Sequence, residues 1–519
     1  MNVTKIGFRQ LEVFSPLFLD YIEGKETLQG FYGLHPNLEN IKQQIAARSF
    51  TPEKRKLLAE ELLAQYKGIE VPEIVKENIE RLRKENTFTI TTGHQLNLAT
   101  GPLYFVYKIL TVIKACEELT LKFPDANFVP VFWMATEDHD FEEINHFHLF
   151  GKKYVWETGL KGAVGRFPVE GIEKVLAQLP EKFEILTKAY SKGKNLADAT
   201  RILINDFFGK YGLVILDGDS KPLKASFKAI VQEELHNSSV GNTVEATTQK
   251  LQAQGFKTQV FPRDINLFLL LEKDRQRITR TNTGFTVLPD TLYSKTEIDQ
   301  LVEDAPERFS PNVALRPLYQ EFILPNLAYI GGPSEVIYWL QLKEAFELFK
   351  IPFPMLLPRN FFLLIDKNSK NKLGKVSIRT EDLFLSTPDL KEKYLREVAG
   401  DTIDLSLELG AIENTFGKIA AKAVAIDKSL EGFVLAERQK VFKELDTIAK
   451  RLKKAEEAKF AVGIAQIEKI KEKLFPGGGL QERSANIFSF LANDPSIIDK
   501  LKAVTEPFDF SFKVVEIDG

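Results

Sequence analysis

The sequence predicts an α/β protein in which a parallel-sheet core is followed by an α-helical antiparallel coiled-coil arm. Three observations lead there. An apolar strand over Phe88–Thr92, a helix over Pro102–Leu119 and a second strand over Phe128–Ala135 have the spacing of a βαβ unit, which requires parallel strands. Apolar runs repeatedly end in Gly, His or acid, as strands do where they hand over to ligand-binding loops. From Leu405 onward the apolar residues fall at coiled-coil spacing.

Taken in order, residues 2–85 read as mainly helical, with helical periodicity from Leu38 to Leu82. Pro102 stands at the first turn of the helix after the first strand, where proline is favoured. Further buried strands are expected at Gly212–Leu216, Asn266–Leu271, Leu327–Ile330 and Phe361–Ile365, each bounded by Gly, Pro or Asp. Short alternating runs over 151–166 and 268–287 suggest antiparallel ribbons inserted into the core. Ile412, Phe416, Ile419, Ala423, Ile426, Leu430 and Phe433 follow a 4-3 repeat, and a second series runs from Val441 through Leu452 to Leu474. The break near 425–432 predicts a helical hairpin, and Phe475-Pro476-Gly477-Gly478-Gly479 ends it. The expected organisation is a core over 1–385 with insertions at about 151–310, an arm over 386–475, and a segment over 476–519 that returns to the core. A homodimer through the arm is expected.

Composition narrows the class. With 44% hydrophobic and 27% charged residues the chain reads as folded rather than disordered. Lys plus Arg total 69 against 72 Asp plus Glu, which argues against a broad nucleic-acid surface. No apolar run approaches the roughly 18 residues of a membrane span, and no signal peptide is expected at the N-terminus. The single cysteine, Cys116, excludes an intrachain disulfide and reads as core filler. A cytoplasmic protein is expected.

Four of the six histidines lie between Phe88 and His148. Thr92-Gly93-His94-Gln95 and Thr100-Gly101-Pro102 place backbone N–H groups and a helix start where an anion could bind, without being a Walker A loop or a G-x-G-x-x-G fingerprint. The alternative is a tight turn around a buried histidine. Glu137-Asp138-His139-Asp140 follows a strand, and four ionisable groups there must line a cleft, pair with cations, bind metal or stand in solvent. His139 between two acids could be a tuned general base. His139, His146 and His148 with Glu143 match no standard metal spacing, and no metal site is assigned. Gly331-Gly332-Pro333-Ser334-Glu335 repeats the strand–glycine–helix pattern, and Asp217-Gly218-Asp219 is a further strand-end loop. In one parallel sheet such loops meet at its carboxyl edge.

At T-G-H-Q-L-N-L-A-T-G-P-L-Y-F-V-Y-K, W-M-A-T-E-D-H-D-F-E-E-I-N-H, G-G-P-S-E and L-F-P-G-G-G-L-Q-E-R (Leu474 to Arg483) the sequence resembles the cysteine-adding enzyme family of bacillithiol biosynthesis. The resemblance implies a Rossmann-like core similar to class I aminoacyl-tRNA synthetases, connecting insertions and a dimerising coiled coil. It implies a ligase that joins cysteine to the amine of glucosaminyl-malate, with ATP, and Mg²⁺ beside it, activating the cysteine carboxylate. Alternatives are a non-catalytic nucleotide-binding dimer, or an amino-acid-activating enzyme with another acceptor. The implied roles assign phosphate contacts to Gly93, His94, Gln95, Thr100 and Gly101, and nucleoside contacts to Gly331, Gly332 and Glu335. Glu137, Asp138, His139 and Asp140 would bind an amino group and supply the base, supported by Asn145 and His146. Arg483 would be an anion contact or a structural salt bridge. The class I signatures H-I-G-H and K-M-S-K-S are absent; T-G-H-Q stands near the first, and Asp219-Ser220-Lys221 is a candidate for the second. The related ligase of mycothiol synthesis holds its thiol on zinc, and this chain lacks the cysteines for that. Thiol selection would then fall to His139 and its neighbours.

Overall fold

The structure, a computed structural model, describes residues 1–287, 291–399 and 405–517. The parts of the expected insertion, arm and C-terminal segment at 288–290, 400–404 and 518–519 lie outside these residues. The chain folds as two compact units, Val3–Leu363 with Gln481–Val514, and Leu364–Leu480 with the chain from Val515. No described helix is long and apolar enough to cross a membrane.

The first unit is organised by a parallel sheet of strands β1 (Thr87–His94), β2 (Asn127–Met134), β3 (Val214–Asp217), β4 (Asn326–Gly331) and β5 (Met355–Pro358), in the order β5-β4-β1-β2-β3. The order reverses between β1 and β4, the switch point where open α/β sheets leave a crevice at their carboxyl ends. Helix α1 (Leu103–Lys122) crosses from β1 to β2, α2 (Lys221–Asn237) follows β3, and α3 (Pro333–Trp339) follows β4.

Burial explains the composition of β1. All of Thr87–Gly93 is buried, so its hydroxyls must find partners inside the sheet. Thr89 and Thr91 donate to Asn326 Oδ1 at 3.1 and 2.8 Å, and Thr92 donates to the Ile330 carbonyl at 2.7 Å. These bonds tie β1 to β4 beside the switch point. Val112, Ala115, Cys116 and Leu119 of α1 pack on Phe88, Ile90 and Phe128, so Cys116 is a core residue. Burial pushes its thiol well above the ordinary range.

The expected helical N-terminus contains Pro16–Ile22, Ile41–Ala47, Pro52–Gln65 and Glu73–Arg81, preceded by a strand, Asn2–Gly7. The 151–166 ribbon is displaced: the hairpin pairs His146–Leu149 with Lys152–Val155, and only the second strand falls in the expected stretch. Its two-residue turn, Phe150 and Gly151, has φ of 50° and 80°, the geometry that matches strand twist. Leu267–Leu271 is a strand, but it joins Asp274–Arg280, Phe285–Val287, Leu292–Tyr293 and Phe309–Pro311 in an antiparallel sheet. Phe361–Asp366 is likewise a strand outside the parallel sheet.

In the second unit Ser406–Ile426 and Leu430–Lys459 pack together as a hairpin around the turn at 427–429. Arg438 bonds Glu413 across it at 2.6 Å. Ile412, Phe416 and Ala423 are partly covered, whereas Ile426 and Phe433 from the same repeat are 81% and 65% exposed. The apolar series therefore divides between an inner and an outer face. Ala461–Leu474 continues the arm, and Ile467 packs with Val376, Leu390 and Tyr394 in a separate small core.

In the first unit, Gln481–Arg483 places Glu482 against Arg359, with two bonds of 2.8 and 2.6 Å between groups 1% and 4% exposed. Removing one partner leaves a buried charge uncompensated. Glu482→Ala should therefore cost about 3–5 kcal/mol in this unit's urea unfolding, and an unchanged midpoint would show that the pair does not anchor the segment.

Candidate active site

A cavity of about 680 Å³ opens over the carboxyl ends of β1, β2 and β4. Its base is a cluster at the switch point. Lys108 of α1, 4% exposed along its side chain, donates to both Glu335 oxygens at 2.8 Å and to the Gly93 carbonyl. Glu335 also accepts from Tyr329 Oη at 2.7 Å and from Gly332 N–H at 2.8 Å. Burial would raise its carboxyl, but the Lys108 charge and these bonds bring it down to about 2. Glu335 is thus fully engaged within the protein, and so is the Gly332 N–H. Gly331 is not part of the wall; Gly332 and Glu335 are.

His94 is partly buried, stacks on Tyr104 at 5.3 Å, and accepts from Gln95 N–H on Nδ1 at 2.7 Å. Burial, reinforced by the charge of Lys108, lowers its pKa to about 3, so the ring is neutral at any working pH. The α1 start does not form the expected phosphate cradle. The Leu103 N–H donates to the Ala485 carbonyl at 2.8 Å, and Asn486 Nδ2 donates to the carbonyls of Ala99 and Gly101 at 2.7 Å. Thr100 is buried outside the cavity, and Gly101 lines a neighbouring one.

The Glu137–Asp140 cluster divides. Glu137 reaches the wall but is paired with Lys224 of α2, which also bonds Asp219, while Arg166 grips Asp219 with bonds of 2.8 and 3.0 Å. Asp217 is half-buried beside them and bonded by Thr136; desolvation and the Asp219 charge push it up to about 6. This network braces the ends of β2 and β3. Lys221 bonds the Asp304 carbonyl at 3.1 Å and is not part of the cavity wall.

Asp138 faces the cavity, accepting from His139 N–H at 2.7 Å, Asp140 N–H at 3.3 Å and Gln95 Nε2 at 2.7 Å. Burial works against its charge. The His139 side chain, whose Nδ1 lies 3.7 Å away, the Gln95 bond and the nearby Arg275 outweigh it and hold the carboxyl well below the usual range. His139 and Asp140 are exposed and lie outside the wall. His139 Nδ1 lies 3.1 Å from Arg275 Nη1; a guanidinium can only donate, so this nitrogen accepts and its lone pair is spent. That geometry does not support His139 as the base. Asn145 Oδ1 meets His146 Nδ1 at 3.0 Å, away from the main cavity. No group of three or more His, Cys, Asp or Glu side chains placed to hold a metal occurs among the described residues.

Several wall residues were not anticipated. Arg316, Arg263 and Arg277 line the cavity with no carboxylate within ion-pair distance among the described residues. Among the described residues the Arg316 guanidinium bonds only Gln320 Oε1 and Tyr338 Oη, and it lies about 6 Å from the Trp133 and Tyr329 rings. Arg483 also lines the wall, with no ion pair among the described residues, while its neighbour Glu482 makes the structural bridge. A lysine inside the apolar Leu103–Ile113 stretch was a readable anomaly; Arg316 carried no signal.

Because Glu335 is held at about 2 in the folded state, against roughly 4.3 when unfolded, the folded protein binds fewer protons between these values. Its stabilising contribution is complete above about pH 4.3 and is lost as pH falls towards 2. Glu335→Gln should flatten the fall of the urea midpoint over that range; equal slopes would show that Glu335 is not held ionised.

The comparisons with known proteins agree with this architecture. Residues 1–360 match the family described as Bacillithiol biosynthesis BshC, N-terminal Rossmann-like domain, and residues 362–517 match its C-terminal coiled-coil domain. A Cytophaga hutchinsonii protein named "Putative cysteine ligase BshC" is 44% identical over 99% of this chain and 98% of its own length. Proteins of the same name from Flavobacterium psychrophilum and Salinibacter ruber are 41% and 30% identical, covering 98% and 95% of this chain and 99% and 94% of their own lengths. The chain belongs to the BshC family of bacillithiol biosynthesis.

Proposed function

We propose that this protein is an amide-forming ligase that joins cysteine to the amine of glucosaminyl-malate, with ATP activating the cysteine carboxylate. The observation that carries the reading is the cavity over the switch point, where unpaired arginines and an ionised aspartate line one space. Its relatives' name adds the reaction class.

The wall fits a nucleotide. Arg316, Arg263 and Arg277 are cations awaiting an anion, and the rings of Tyr104, Trp133, Tyr329 and Tyr338 offer apolar faces around them. Bound ATP supplies a leaving group for the carboxylate. Magnesium would arrive with the phosphates, as it commonly does where no protein cage exists. Arg316 meets a phosphate or the reacting carboxylate. Asp138, ionised throughout the working range, anchors the cysteine ammonium, and Gln95 fixes its direction. Neutral His94 contributes a hydrogen bond without adding charge. Lys108 and Glu335 hold β1, β4 and the α3 start in register and act through position.

Incubation with ATP, cysteine and glucosaminyl-malate should yield a product with the mass of the amide, and its absence with nucleotide bound would sink the reading. Asp138→Asn should lower kcat/KM for cysteine by about two orders of magnitude, the loss expected when a desolvated ammonium loses its counter-charge. An unchanged value would remove its role.

We further propose a homodimer through the arm, in the cytoplasm. Ile426, Phe433 and Ile448 are 81%, 65% and 49% exposed on the hairpin, more apolar surface than an isolated arm should leave in water. Phe433→Glu with Ile448→Glu should halve the mass measured by light scattering; the same mass as wild type would place the contact elsewhere.

A further inference from the structure

A second cavity, of about 380 Å³, lies beside the first in the same unit. Gln95, Tyr104 and Arg483 line both. At the junction the Gln95 side-chain amide donates to Asp138 and to Glu143, each at 2.7 Å, so one amide joins an acid of the main cavity to an acid of the side cavity. Beyond the junction the wall is polar and close to neutral. His146 and His148 meet edge to face at 5.8 Å, and burial, helped by Lys153, keeps both below the ordinary imidazole range. Asn97 is 8% exposed, and among the described residues neither its Oδ1 nor the buried Ser484 hydroxyl has a hydrogen-bond partner.

The two spaces differ in the ligand they can take. The main cavity has surplus arginine and suits a polyanion. The side cavity has one carboxylate, one guanidinium, two imidazoles and neutral hydrogen-bonding groups, which suit a polar zwitterion. Gly101 contributes to its shape: its φ is +62°, and a Cβ there would stand 2.6 Å from that of Asn97. Any larger residue would displace Asn97 from the wall.

We propose that the side cavity is the acceptor subsite, taking a hydroxyl-rich primary amine that bears carboxylates, one of which reaches Arg483. Glu143 receives the ammonium at the junction, Arg483 meets that carboxylate, and Asn97, His146 and His148 meet hydroxyls. The amine then faces the main cavity past Gln95, where an activated carboxylate would lie. This assignment rests on the ligase reading above.

The full-length protein would be titrated calorimetrically with glucosaminyl-malate in the presence of a non-hydrolysable ATP analogue, and separately with the analogue alone. Glu143→Gln and His148→Ala should each weaken the acceptor about tenfold, as loss of one strong hydrogen bond does, while leaving the nucleotide affinity at its wild-type value. Arg316→Met should do the reverse. Acceptor affinity unchanged in both side-cavity variants, or no acceptor binding by wild type that binds the analogue, overturns the subsite. Glu143-dependent acceptor binding by a protein that binds neither analogue nor cysteine supports the subsite and instead overturns the ligase reading.

Discussion

The ion pair of Lys108 with Glu335 is the constraint from which the site follows. It joins the helix after β1 to the helix after β4, across the point where the strand order reverses. A lysine this deeply covered needs a counter-charge, and a carboxylate so placed needs donors. Lys108, Tyr329 and Gly332 supply them, and the Gly93 carbonyl takes a further bond from the lysine. With its own charges satisfied, the floor can face a ligand without competing for it. The free cations come from elsewhere: Arg277 from the antiparallel sheet, Arg263 from the chain before it, Arg316 from the helix before β4 and Arg483 from the C-terminal segment.

The acids near the strand ends separate in the same way. Glu137, Asp217 and Asp219 are absorbed by Lys224, Arg166 and Thr136, and they brace the scaffold. Asp138 is held ionised by His139, Gln95 and the nearby Arg275, with no lysine or arginine within ion-pair distance among the described residues, which leaves its charge available to a bound ammonium. Two carboxylates one residue apart thus serve different purposes because their partners differ in charge.

Much of this was legible in the chain. The βαβ spacing from Phe88 to Ala135 identified the parallel core, and the strand-end loops at His94, Glu137 and Gly332 do converge on one cavity. The helical hairpin and its glycine stop were readable from periodicity and punctuation. What could not be read depended on contacts distant in sequence. Nothing local showed that Ala485 and Asn486 would cover the α1 start, taking the Leu103 N–H and the carbonyls of Ala99 and Gly101. Arg275, 136 positions from His139, occupies the ring nitrogen a base would need. Arg316 looks like any surface arginine until the sheet brings it over the strand ends. Edge strand β5 was missed because Met355–Pro358 is short and ends in proline.

The central claim is that the unpaired arginines over the β1–β4 switch point receive the nucleotide while Asp138 receives the amino acid. A crystal structure with a non-hydrolysable ATP analogue and cysteine tests it most directly. The account predicts phosphate oxygens within hydrogen-bonding distance of Arg316 and the cysteine ammonium on Asp138. A nucleotide seated elsewhere, with Arg316 still bonded only to Gln320 and Tyr338, would contradict it.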